Sequence, residues 1–192
     1  MITLYSARAC PYALRTRLAL HEKHLDSEHI EIDLRNKPEG FTRLSPYGKV
    51  PALIDGDRCI YESAIINEYL DERYPDPPLM PDSPDLRAHA RIWIDFANTR
   101  LMRAGGKLRF AKDEATRTQA RDALAKHFAL VAKELGDKTW FVNDVYSLVE
   151  VTYCTFFARK ERLSDVDVPE SVLAWLDRIG DRQAYKATGG LS

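Results

Sequence analysis

Residues 4–20 read LYSARACPYALRTRLAL. Ile2–Ser6 has the apolar, β-favouring character of a short strand. From position 11 to 24 the spacing predicts a helix, with Ala13, Leu14, Leu18, Ala19 and Leu20 supplying one buried side among charged residues. Between strand and helix stands Cys10, directly before Pro11. Proline suits the first helical position, where its missing N–H has no partner to lose. A cysteine there meets the unpaired N–H groups and the positive end of the helix dipole, which favour thiolate over thiol. Arg8, Arg15 and Arg17 add positive charge. Free cysteine is also a common buried hydrophobe, so position alone leaves both a reacting and a packing role open.

Working outward, HIEIDL (29–34) alternates polar and apolar residues as a second strand. VPALI (50–54), DGD (55–57) and RCIY (58–61) predict strand, tight turn and strand, with Asp55-Gly56 as the hairpin signal. Residues 62–74 are again helical. This β-α-β-hairpin-helix order predicts a small mixed sheet with helices packed on it. YPDPPLMPDSPD (74–85) then places five prolines in twelve residues and reads as a linker. Beyond it the patterns are helical, over about 85–104, 113–135, 147–162 and 169–180. Ser147 and Glu150 form a capping box at the start of the third of these. The expected organisation is an α/β domain at 1–75, a proline-rich linker at 76–84 and an all-α domain at 85–192.

The 192 residues are 45% apolar and 30% charged, as in a globular chain. With 28 basic and 29 acidic residues, the formal net charge is −1, which argues against a protein built mainly to bind nucleic acid. No apolar run reaches the roughly 18 residues of a membrane span, so no membrane partner is expected. The N-terminus lacks a charged segment followed by an apolar core, so no signal peptide is expected. Cys10, Cys59 and Cys154 are too few for a disulfide framework and lack metal-ligand spacing. A cytoplasmic protein with reduced thiols and no metal is the expectation, with Cys59 and Cys154 packing only.

The motif at Cys10 is C-P-Y-A, not C-x-x-C, so a mixed disulfide at Cys10 needs an external thiol to resolve it. The obvious cytosolic candidate is glutathione. Pro51 in GKVPAL stands at a strand start, where a cis Val50–Pro51 bond turns the Val50 backbone toward an extended peptide; an ordinary trans proline at an edge strand is the plainer reading. Glu62 and Ser63 in YESAI open a helix, where Glu62 can take a ligand ammonium and Ser63 a carboxylate; both types are also favoured there simply as caps.

Taken together, LYSARACPYALRTRLAL, IDLRNKPEGF, SPYGKVPALI and YESAIINEYLDERYP resemble the N-terminal half of a cysteine-type, omega-like glutathione transferase. FVNDVYSLVEVTYCTFF fits the family's helical half. The resemblance implies a thioredoxin-like α/β N-terminal domain followed by an all-α domain, in a homodimer. It implies that Cys10 forms a mixed disulfide with glutathione, the cosubstrate. Val50 would pair with the cysteinyl part through its backbone, with Pro51 cis. Glu62 and Ser63 would hold the γ-glutamyl end and Lys37 the glycyl carboxylate. Tyr12 stands where the family has an aromatic whose backbone N–H faces the sulfur. Tyr5 and Ser6 lie near enough to supply a hydroxyl to bound glutathione, as in the tyrosine- and serine-type members, but Cys10 is the more economical candidate.

The helical half must then bind an electrophilic or disulfide cosubstrate. Trp93, Phe96, Ala97 and Arg100 fall at i, i+3, i+4 and i+7, one face of the first helix, as candidate pocket residues. Arg100, Arg103, Lys107 and Arg109 place four cations within ten residues, a solvated face or an attraction for acidic cosubstrates. Many family members carry a further C-terminal segment beyond the point where QAYKATGGLS ends this sequence. That implies an open pocket, with GGLS (189–192) a flexible tail. EYLDERYPDPPLMPDSP also resembles the stringent starvation protein A branch, which keeps the fold but acts as a regulator associated with RNA polymerase. Asp76 stands where that branch often has histidine. The two readings are therefore a glutathione-dependent thiol transferase or reductase and a non-catalytic regulator.

Overall fold

The computed structural model describes residues 1–191, and the chain falls into two compact units. Among the described residues, one comprises 1–80 with 181–191, the other 81–180. The proline-rich run thus lies near the change of unit, while residues 181–191 return to the first.

The first unit is built on a four-stranded mixed sheet in the order β2-β1-β3-β4, comprising β1 (Ile2–Ser6), β2 (Ser27–Glu31), β3 (Ala52–Asp55) and β4 (Arg58–Tyr61). β1 runs parallel to β2 and antiparallel to β3. β3 and β4 form the expected hairpin, closed by Gly56 and Asp57, with Gly56 at φ +59°. Helices α1 (Pro11–Glu22) and α2 (Ser63–Arg73) complete the thioredoxin-like arrangement. α1 has more than one buried side: every residue from Ala13 to Leu20 is buried, Arg15, Thr16 and Arg17 included. Both α2 and the returning chain end, with its short α8 (Gln183–Ala187), pack against it.

β2 covers 27–31 rather than 29–34. Ile32 still donates to Ser6 O (2.7 Å), but the Asp33 carboxylate accepts from Arg35 N (2.8 Å) and turns the chain outward, leaving Leu34 exposed. β3 begins at Ala52 because Pro51 has no N–H for the ladder. The linker is fastened to its own unit. Buried Lys23 donates to Asp71 Oδ1 (2.9 Å) and Pro77 O (2.7 Å), and the Asp71 carboxylate accepts from Leu79 N and Met80 N.

The second unit is helical. α3 (Pro84–Phe96) passes through a π-helical turn (Ala97–Leu101) into α4 (Met102–Phe110). Gly105 and Gly106 therefore lie inside a helix rather than ending one. α5 (Glu114–Leu135) is capped by Asp113, whose carboxylate accepts from Thr116 N (2.7 Å). α6 (Leu148–Phe157) ends five residues before the expected 162, and a 3₁₀ turn (Lys160–Leu163) follows. α7 (Glu170–Asp181) packs against α6 so closely that a Cβ on Gly180 would lie 2.1 Å from the Phe157 ring. The core holds Phe141, Tyr153 and Trp175, with ring centroids of Phe141 and Trp175 5.4 Å apart. Among the described residues, no helix is long and apolar enough to cross a membrane.

Candidate active site

The sheet topology brings the N-terminal candidates to one end. Tyr5 pairs with Ala52 and Ala52 with Tyr61, so the exit of β1 toward Cys10, the entry of β3 from Pro51 and the exit of β4 toward Glu62 are neighbours. β2 runs parallel to β1, which puts the exit toward Lys37 at that end too.

Cys10 is the N-cap residue of α1 in extended conformation (φ −89°, ψ 118°), with Pro11 in the first turn. Its thiol does not cap the helix and instead lies 3.6 Å from Val50 O. Its backbone N–H donates to Ala7 O (2.9 Å) and its carbonyl accepts from Leu14 N (3.1 Å). The side chain is half-buried and packs on a cluster of Ala7, Ala13, Ile32, Phe41 and Val50. Phe41 and Leu44 were missed in the sequence, where GFTRL carries no periodic signal. They belong to a 3₁₀ turn at Phe41–Arg43 and its cap.

The Val50–Pro51 peptide is cis, as the resemblance implies and against the plainer reading of the residues, and so is Asp76–Pro77, where no cis bond was expected. Glu62 is exposed, gives no side-chain cap to α2, and sits at φ +70°, ψ 115°, a strained conformation for a residue with a Cβ. Ser63 beside it is buried. Lys37 is exposed in the loop after β2. Tyr12 is about one-third exposed, with the Arg15 guanidinium 5.0 Å from its ring centroid. Ser6 is corrected as a hydroxyl candidate: it is 2% exposed and its Oγ accepts from Arg17 Nη1 (3.0 Å). Tyr5 packs its ring on Phe41, with centroids 6.3 Å apart. The Cys59 thiol donates to Leu44 O (3.1 Å), and burial of the sulfur raises it above the ordinary thiol range. Burial, with the Arg17 charge adding to it, lowers His21 and His29 below the ordinary histidine range.

In the second unit the four pocket candidates differ in burial. Trp93 packs its ring on Phe96 (5.0 Å) and on core Phe141 (4.9 Å), and its Nε1 donates to His89 Nε2 (3.1 Å). Phe96 meets the His127 ring edge-on at 5.4 Å, while Ala97 is fully buried and Arg100 exposed. A π-helical turn runs over Ala97–Leu101, and its wider winding advances fewer degrees per residue than the i+7 spacing assumes. Glu150 closes the capping box from inside. Its carboxylate accepts from Phe141 N (2.7 Å), Ser147 N (2.9 Å), Ser147 Oγ (2.8 Å) and Trp175 Nε1 (3.3 Å), while full burial raises its pKa against those donors. No group of three or more His, Cys, Asp or Glu among the described residues could hold a metal ion.

Residues 4–78 match the family described as the glutathione S-transferase N-terminal domain. Glutathione S-transferase omega-1 of Sus scrofa is 35% identical over 170 residues, 85% of this chain and 68% of that protein. The stringent starvation protein A homolog of Coxiella burnetii is 32% identical over 197 residues, 98% of this chain and 91% of that protein. Among solved structures, rice GST1 (OsGSTU1) in complex with glutathione superimposes with a TM-score of 0.88 at 30% identity, covering 100% of this chain and 92% of the rice chain.

Proposed function

The chain belongs to the glutathione S-transferase family, and from that premise we propose that it is an omega-like thiol transferase or reductase that uses Cys10 as its nucleophile. The observation carrying the proposal is the Cys10 sulfur, 3.6 Å from Val50 O, at the N-terminus of α1 and with no second cysteine in the motif. Glutathione would lie along the sheet end. Its cysteinyl backbone would pair with Val50 beside Pro51, its γ-glutamyl group would meet Glu62 and Ser63, and its glycyl carboxylate Lys37. The Tyr12 backbone N–H would face the sulfur.

In the reaction, the Cys10 thiolate attacks the glutathione sulfur of a mixed disulfide. An Sγ–S bond forms, the substrate's S–S bond breaks, and the departing thiolate leaves with the electron pair. Cys10 is oxidised and the departing half reduced. A glutathione thiolate then attacks the glutathionyl sulfur on Cys10, giving glutathione disulfide and returning the Cys10 thiolate. The same attack on a glutathionyl ketone expels the carbon as an enolate, which takes a proton from water. The helical unit would bind the electrophilic or disulfide cosubstrate; half-buried Trp93 and Phe96 and exposed Arg100 are the accessible candidates. A cytoplasmic homodimer is part of the proposal and rests on the family likeness.

The test is steady-state turnover of a glutathione mixed disulfide by wild type and Cys10→Ser. Turnover that disappears in the variant is expected; equal rates would overturn the assignment. A second reading, a non-catalytic stringent-starvation-type regulator, is favoured by the likeness to the Coxiella protein over nearly the whole chain. Glutathione binding without any turnover would favour it.

A further inference from the structure

Arg17 lies two turns along α1 from Cys10 and is 5% exposed. Side chains on a helix lean toward its N-terminus, so a residue here reaches the loop that precedes the helix. Nη1 donates to Ser6 Oγ (3.0 Å) and to Ala7 O (3.3 Å), at the junction of β1 and that loop. The same Ala7 carbonyl accepts the Cys10 N–H (2.9 Å). One carbonyl is therefore shared by the Arg17 guanidinium and the backbone of the reacting residue. On its other side, Nη2 donates to Gly190 O (2.8 Å).

The chain end is built to present that oxygen. Gly189 and Gly190 stand at φ +71° and +67°, where a side chain is disfavoured. Gly190 N donates to Thr188 Oγ1 (3.1 Å), whose hydroxyl donates to Tyr185 O (2.7 Å). Arg182 makes a two-pronged pair with Glu22 at the far end of α1 (2.6 Å for each contact). Gly190 of GGLS is thus held against α1 rather than trailing free, and Ser192 lies outside the described residues.

We propose that Arg17 is a positioning residue for Cys10, braced from behind by the Thr188–Gly190 turn. The proposal rests on the reading of Cys10 as the reacting thiol. The guanidinium is a rigid planar fork that stays charged, so it fixes the spacing between the chain end and the Ser6–Ala7 backbone. Through Ala7 O it sets where Cys10 starts α1 and how its sulfur faces Val50 O. A shift of about 1 Å at a reacting atom can cost about 100-fold in rate, so loosening this brace is felt at the sulfur.

The experiment compares wild type, Arg17→Met and the double variant Gly189→Ala/Gly190→Ala, none of which alters a residue that contacts glutathione. Rates of modification of Cys10 and Cys59 are read in the same molecule by peptide mass spectrometry, with glutathione disulfide and separately with iodoacetamide. The Cys10:Cys59 rate ratio is expected to fall about tenfold in Arg17→Met and in the same direction, by less, in the glycine variant. Combining all three changes is expected to add little to Arg17→Met alone, since both act through one contact. General loosening moves both cysteines together and leaves the ratio unchanged, which would overturn the proposal. An unchanged ratio in the glycine variant alone would remove the chain end from it. Wild type that resists glutathione disulfide would refute the thiol-transfer reading, while the iodoacetamide ratio would still decide the role of Arg17.

Discussion

Glu62 combines exposure, a positive φ of 70° and the absence of any capping contact from its side chain. A residue strained by about 1–3 kcal/mol whose side chain does not cap its own helix is the kind kept for a ligand. Glu62→Gly is accordingly expected to leave the unfolding free energy equal to wild type or up to about 1 kcal/mol higher. It should weaken glutathione binding about tenfold in isothermal titration, through loss of a charge-assisted contact. Unchanged affinity would remove Glu62 from the site. The placement of Cys10, Val50-Pro51 and Glu62-Ser63 at element boundaries was legible in the sequence, because each boundary carries its own chemical signature. The strain at Glu62 was not, since the β4–α2 junction sets it. Arg17 registered only as a charge, because Gly190, its third acceptor, is 173 positions away.

Among the elements, the start of α6 was fully readable: a capping box is four consecutive residues, and SLVE forms it as expected. Ser147 Oγ accepts from Val149 N and donates to the buried Glu150 carboxylate. Ser147→Ala is expected to cost about 1–2 kcal/mol, seen as a lower urea midpoint with an unchanged slope. A loss under about 0.3 kcal/mol would contradict the cap's importance. The α3–α4 segment shows the opposite case. Nothing in DFANTRLMRAGG signals a π-helical turn, and the glycines at 105–106 read as a terminus although the helix runs to Phe110. The wider winding of this turn changes the angle between Arg100 and Trp93 from the one that i+7 spacing assumes, which no sequence pattern announces.

Across the whole molecule, contacts distant in sequence decide what local patterns could not. The prolines marked the linker but not its anchor, the buried Lys23–Asp71 pair, with side chains 0% and 5% exposed. Asp71→Ala leaves a buried ammonium and two linker N–H groups without their carboxylate, and is expected to cost about 3–5 kcal/mol in urea unfolding. Replacing both partners, Lys23→Met with Asp71→Leu, removes the lone ammonium but still orphans the Leu79 and Met80 N–H groups, so only part of that loss is expected to return. No recovery would show that the loss comes from the orphaned linker N–H groups and not from the unpaired ammonium. The return of residues 181–191 to the first unit was equally invisible, because no periodicity announces that the short helix α8 will pack on α1. If Cys10 reacts with glutathione, intact mass after incubation with glutathione disulfide near neutral pH will register it. Wild type should gain one glutathionyl unit on Cys10 that free glutathione removes, and Cys10→Ser should gain none there. Wild type without the adduct, or an equal gain in the variant, would contradict the account.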